Sequence, residues 1–312
     1  MENKILGLHH ITAIAGNAQR NFDFYTKVLG LRLVKKTVNF DDPGTYHFYY
    51  GDEVGTPGSI LTFFPWEGVK RGHIGVGMAT EIGYAVPKGS LSFWKQRFQQ
   101  IGVQHRDISE LFGEKHLPFT DPDGLMLNLV EAKAEDNRQP WITGDVSADV
   151  AIKGFHNVVL MLRDSEETAR VLTDILGYRF VQKEGNKMRF ATDSIATANF
   201  VDLQVVPTAP RGLNAGGTNH HIAFRVKDDN VLMAFREKVV AAGHHITEKI
   251  DRNYFYSLYF REPGGVLFEL ASDNPGFATD ENIAELGTHL MLPPQYEPSR
   301  KRIEEVLPPL HP

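Results

Sequence analysis

The heptapeptide Val28-Leu29-Gly30-Leu31-Arg32-Leu33-Val34 returns 147 residues later as Ile175-Leu176-Gly177-Tyr178-Arg179-Phe180-Val181. At the same offset Gly7-Leu8-His9-His10 lies over Gly154-Phe155-His156-Asn157, and residues 122–129 return 141 places on as 263–270. A period found twice restricts the chain to tandem copies of one supersecondary unit. The first copy reads as a strand over 7–14, then a helix with Phe22, Tyr25 and Leu29 on one face, stopped at Gly30. Strands follow over 31–34, 46–50 and 59–64, giving the order β-α-β-β-β. A strand over 80–86, a helical face of Leu91, Trp94, Phe98 and Ile101, and a closing strand over 122–129 repeat it. The fourth copy opens at 219–226, with Leu232, Phe235, Val239 and Ala242 at helical spacing.

The expected fold is therefore α+β: four βαβββ modules in two tandem halves. The N-terminal half covers 1–132 (modules 1–70 and 71–132), and a polar linker covers 133–150. The C-terminal half covers 151–274 (modules 151–210 and 216–274). A Pro-rich arm, 275–312, is expected to pack across the surface with one short helix over 300–306.

Composition narrows the function. With 312 residues, 42% hydrophobic and 23% charged, the chain has globular usage and the length of about two domains. A formal net charge of −6 gives no basic footprint for nucleic acid. No run of 18 apolar residues suggests a membrane span, and the first residues lack a secretory layout, so a cytoplasmic location is expected. With no cysteine, a metal would fall to His and carboxylate ligands.

The repeat lets equivalent positions be compared. The opening-strand site carries His10, Glu81, Asn157 and His221 in the four modules, and the closing-strand site carries Asn128 and Glu269 in modules two and four. His10, His221 and Glu269 form a good ligand set; Glu81, Asn128 and Asn157 look like a decayed copy. A lone strand Glu most often faces water on an edge. Here side-chain alternation puts Glu269 opposite Phe268 and Leu270. The same alternation groups His221 with Ala223 and Arg225, and His220 with the apolar Ile222, Phe224 and Val226. His10 goes with Thr12. Two imidazoles and a carboxylate make the facial set of non-haem Fe(II) oxygenases.

These residues carry a resemblance. The module quartet, His9-His10-Ile11-Thr12, His220-His221-Ile222-Ala223-Phe224 and Pro263-Gly264-Gly265-Val266-Leu267-Phe268-Glu269 resemble the vicinal oxygen chelate (glyoxalase/bleomycin resistance/dioxygenase) superfamily. Within it the chain is similar to ring-cleaving dioxygenases of the hydroquinone 1,2-dioxygenase, or MhqO, type. The resemblance implies curved mixed sheets around a metal cavity, with modules one and four paired there. It implies Fe(II), with Mn(II) as the alternative, on His10, His221 and Glu269. It implies second-sphere roles for His9, His220, Arg252 and Tyr259, with a small aromatic diphenol and O2 as partners. Catechol-cleaving relatives take their first His from module three, where this chain has Asn157, so the hydroquinone-like pattern is favoured. Other readings stay open. His9 and His220 are proton shuttles or strand-orienting residues, while Tyr259 and Arg252 are site groups or a core wedge and a solvated charge. The activity is ring cleavage, a glyoxalase-like lyase, a thiol transferase, or drug binding without chemistry. A homo-oligomer is compatible with all of them.

Overall fold

The computed structural model describes residues 3–311. Two curled eight-stranded mixed sheets make the body of the molecule. The first contains β1 (Leu8–Ala15), β2 (Arg32–Asn39), β3 (Asp42–Gly51) and β4 (Ile60–Pro65). To these it adds β13 (Thr218–Val226), β14 (Ile250–Asp251), β15 (Phe255–Arg261) and β16 (Leu267–Pro275). Its order is β14-β15-β16-β13-β1-β4-β3-β2. The second contains β5 (Met78–Val86), β6 (Ser109–Leu111), β7 (Glu114–Thr120) and β8 (Met126–Glu131), with β9 (Gly154–Leu162), β10 (Arg179–Glu184), β11 (Lys187–Ala191) and β12 (Phe200–Val205). Strands from the two ends of the chain thus share one sheet, joined by the antiparallel β1–β13 pair; β5 and β9 join the other.

Helices cover one face of each sheet. Helix α1 (Ala18–Asp23) continues into a π-helical turn over Phe24–Val28, and Gly30 follows with φ 70°. A Cβ there would also meet Val146 at 3.0 Å, so glycine serves both the left-handed turn and the linker packed on it. Helix α2 (Leu91–Ile101) buries Leu91, Trp94 and Phe98, while Ile101, expected on the same face, is half exposed. Helices α3 (Glu166–Arg170) and α4 (Asp229–Ala241) complete the repeats, and α4 buries Leu232, Phe235 and Val239. The opposite face of the first sheet carries a second, smaller apolar cluster, which includes Val34, Tyr49, Ile60 and Phe277, beside the polar groups His10, Thr12, His47 and His221.

The segment after β16 crosses the first sheet and ends in α5 (Arg300–Val306). It is tied down by charge: Lys35, fully buried on β2, reaches Asp280 and Glu281, each at 2.5 Å. Phe277 stacks on Tyr254, and the Tyr296 hydroxyl donates to the Phe40 carbonyl.

Candidate metal centre

Ladder irregularities build the site. Along β1, Leu8 pairs with Phe224 and His10 with Ala223, so His9 is an extra residue; along β13, Thr12 pairs with His221 and Ala13 with Asn219, so His220 is the extra one. Each is a β-bulge, which re-aims a side chain that strict alternation would send to the other face. The alternation reading of His220 is corrected on this ground: it lines the cavity rather than the apolar face. Bulging also brings consecutive rings together. Nδ1 of His9 lies 3.0 Å from Nδ1 of His10, and Nδ1 of His220 lies 2.8 Å from Nδ1 of His221.

His10, His221 and Glu269 each turn one ligand atom to a common point, all within 4.8 Å of one another. Glu269 Oε2 is 3.2 Å from His10 Nε2 and 2.9 Å from His221 Nε2. Ser257, on the adjacent β15, donates to Glu269 Oε1 at 2.5 Å, which fixes the carboxylate and leaves Oε2 for the common point. Phe255 packs against the rings of both His9 and His10.

The protons can be assigned from a backbone carbonyl outward. Ser272 O accepts only, so His9 Nε2, 3.2 Å away, is the donor. Neutral His9 therefore accepts at Nδ1, His10 donates from Nδ1–H, and His10 Nε2 is left with a lone pair. Burial, then the neighbouring His10, pushes the His9 imidazole well down, which keeps it neutral. Burial likewise lowers His221, although Glu269 opposes it. Burial alone would raise the Glu269 carboxyl, but His10 and His221 outweigh it and hold it well below the usual carboxylate range. His221 Nε2 and Glu269 Oε2, both buried, have no hydrogen-bond partner among the described residues. The Glu269 carboxylate oxygen, 2.9 and 3.2 Å from two imidazole nitrogens, marks a point where one cation would meet all three ligand atoms. An ion with bonds of about 2.1 Å at right angles sets its donors about 3 Å apart, so the residues fit a divalent metal.

A cavity of about 290 Å³ opens beside this cluster. His10, His220, His221, Arg252 and Tyr259 all line it; His9 sits behind His10. Tyr259 pairs directly with Glu269 across β15 and β16 and sets its ring edge-on to His221. The Arg252 guanidinium lies over the Tyr259 ring, 5.5 Å from its centre. Ser257, His47, Tyr49 and Phe255 are site residues that sequence patterns missed. Ser257 had a signal, standing two places before Tyr259 on the same strand face; His47 and Tyr49 had none without the register. A larger cavity, about 650 Å³, touches the second sheet, but its charges are already matched. Arg189 there pairs with Glu114 and Asp202, and His156 with Glu114. Asn157, equivalent to His10, donates to Asp202 at 2.7 Å, and Asn128 donates to Glu81 at 3.1 Å.

A tandem sheet pair with one His/His/Glu centre defines a class. The chain belongs to the Glyoxalase/Bleomycin resistance protein/Dioxygenase superfamily, whose sequence model matches residues 7–129 and 154–270. That superfamily is metal-dependent. The chain is 48% identical to the Bacillus subtilis protein named as the ring-cleaving dioxygenase MhqO, covering 98% of this chain and 97% of that one. It is 35% identical to a chlorohydroquinone/hydroquinone 1,2-dioxygenase of Sphingobium indicum, covering 95% and 94%. A crystal structure from Bacillus subtilis, described as a dioxygenase, superposes with a TM-score of 0.95 at 47% identity, covering 99% of each chain. These similarities place the chain among the ring-cleaving dioxygenases. Among the described residues no helix is long and apolar enough to cross a membrane.

Proposed function

We propose that His10, His221 and Glu269 hold one divalent metal ion, Fe(II) with Mn(II) as the alternative. The enzyme then cleaves the ring of a hydroquinone- or catechol-like diphenol with O2. The observation that carries the reading is the meeting of three ligand atoms, two of them buried without a hydrogen-bond partner, at the wall of one small cavity. The substrate class is taken from the relative named for hydroquinone, and the absence of a His at Asn157 agrees with it. When bound, the ion supplies Lewis acidity and a redox connection between ring and dioxygen that spin otherwise forbids.

The protein's own groups do the rest. A cavity of about 150 Å³ holds benzene, so about 290 Å³ suits one substituted ring with a small co-substrate. Phe64, Trp66 and Phe255 give it apolar walls. Arg252 supplies fixed positive charge toward an anionic oxygen of the substrate, and Tyr259, paired with Glu269 across the strands, adds a hydroxyl to the same wall. His220 acts through its free edge. With His221 Nε2 kept as a lone pair, His221 Nδ1–H donates to His220 Nδ1, so His220 carries its proton on Nε2. His220 therefore donates to an anionic oxygen rather than taking its proton. An oxygen-electrode assay of Fe(II)-loaded protein with hydroquinone and with catechol tests the proposal. One O2 consumed per ring opened is expected; no uptake with any diphenol would return the lyase and thiol-transferase readings.

A further inference from the structure

A second polar array borders the same cavity, and nothing in the chemistry above uses it. The Tyr49 hydroxyl lies 2.9 Å from His47 Nδ1, and His47 Nε2 lies 2.9 Å from Thr62 Oγ1. Thr62 Oγ1 in turn lies 2.9 Å from Thr12 Oγ1. Strand register makes the row. Tyr49 is opposite Thr62 on β3 and β4, Thr62 is opposite Thr12 on β4 and β1, and Thr12 is opposite His221 on β13. Thr12 also shares a strand face with His10, two residues before it. The row therefore ends on Thr12, cross-strand from one imidazole of the centre and next on the same strand face to the other.

Counting protons gives the row a direction. Three hydroxyls and one neutral imidazole carry four exchangeable protons, and the three links use three. If the links ran toward Tyr49, a neutral imidazole N–H would have to donate to the Tyr49 oxygen; the phenol, more acidic than imidazole N–H, is the better donor, so Tyr49 donates to His47 Nδ1. If the spare proton stayed on Thr62, it would be stranded on a side chain with no exposure at all. The remaining order, Tyr49 to His47 to Thr62 to Thr12, leaves it on Thr12, which lines the cavity as Thr62 does not. The second sheet supplies a contrast. By the same register Val159, Asp202 and Arg189 occupy the places of Thr12, Thr62 and Tyr49, and there the ion pair closes on itself with no hydroxyl at its end.

We propose that Thr12 is a substrate-binding hydrogen-bond donor, aimed by Thr62, His47 and Tyr49, that holds an acceptor oxygen of the bound diphenol between His10 and His221. Thr12 touches the substrate; His47 and Tyr49 are positioning residues that act through it. A donor whose direction is fixed before binding loses less freedom on meeting its acceptor, so the row favours binding even though only its last member makes contact. The inference rests on the diphenol reading above.

The test is a double-mutant cycle on metal-loaded protein, T12V against Y49F, both close to isosteric. Anaerobic calorimetric titration with hydroquinone reads binding without turnover, and aerobic kinetics read KM. Each single variant is expected to weaken hydroquinone binding about tenfold and to raise KM accordingly, with one metal ion per chain and the fold retained by circular dichroism. The double variant is expected to bind no more weakly than T12V alone, and Thr12→Ser to bind like wild type. Wild-type binding in Y49F, or additive losses in the double variant, overturns the row while leaving the diphenol reading intact. Wild-type protein that binds no diphenol overturns both.

Discussion

His9 turns its Nδ1 to the Nδ1 of His10 at 3.0 Å from a residue that the strand ladder skips. The bulge makes two consecutive histidines work together, because His9, anchored on the Ser272 carbonyl, sets which nitrogen of His10 keeps a lone pair. Partners of this kind typically change metal affinity 10–100-fold. His9→Ala is expected to lower affinity by roughly that factor, read by competition with a chelator, with the fold retained by circular dichroism. Unchanged affinity would make His9 a packing residue.

Asn157 is the test of the other sheet. It stands where His10 stands but donates to Asp202, beside the Arg189 guanidinium. Asn157→Ala is expected to leave metal content and turnover within twofold of wild type. Loss of a donor to a buried carboxylate costs about 1–3 kcal/mol, and urea unfolding at pH 7 should show it. A large fall in turnover with intact folding would mean that the second sheet takes part in catalysis.

His116 predicts an acid sensitivity away from the metal. Burial, then His156, pushes its imidazole down to about 4. In the unfolded chain the group titrates near 6.5. Below that pH the unfolded state therefore binds a proton that the folded state refuses, and stability falls until about pH 4. At about 1.4 kcal/mol per pH unit, His116→Gln should lose about 2 kcal/mol less than wild type between pH 6.5 and 5. Denaturant midpoints at the two pH values measure it; parallel losses would refute the assignment.

Lys35 predicts how firmly the C-terminal arm is held. Its ammonium is fully buried and relies on Asp280 and Glu281 from that arm. Glu281→Gln removes one charged acceptor, which is worth about 1–3 kcal/mol. The variant should melt lower with metal stoichiometry unchanged. An unaltered melting temperature would show that Asp280 alone suffices.

Much of this architecture was legible because the chain repeats itself. Equivalent positions picked out His10, His221 and Glu269, the same three residues that the structure brings together. The helix over 91–101 begins and ends where its apolar spacing places it, and the short helix expected over 300–306 is present. What escaped depends on distant register. A two-residue period cannot reveal the bulges at His9 and His220, so His220 was placed on the wrong face. His47 and Tyr49 gain meaning only once their strand is paired with β4. The π-helical turn over Phe24–Val28 shares the apolar pattern of an α-helix, and only its backbone bonds distinguish it. Nothing in the sequence marked Lys35 as buried, since the carboxylates that permit it lie on the far arm.

The most direct test is metal stoichiometry after anaerobic loading with Fe(II) and removal of free ion, measured on wild type and on Glu269→Gln. The wild type is predicted to retain about one ion per chain. The variant keeps the volume of the side chain but lacks the anionic oxygen between the two imidazoles, and it is predicted to retain almost none. A folded Glu269→Gln protein that still held one ion per chain would contradict the centre described here.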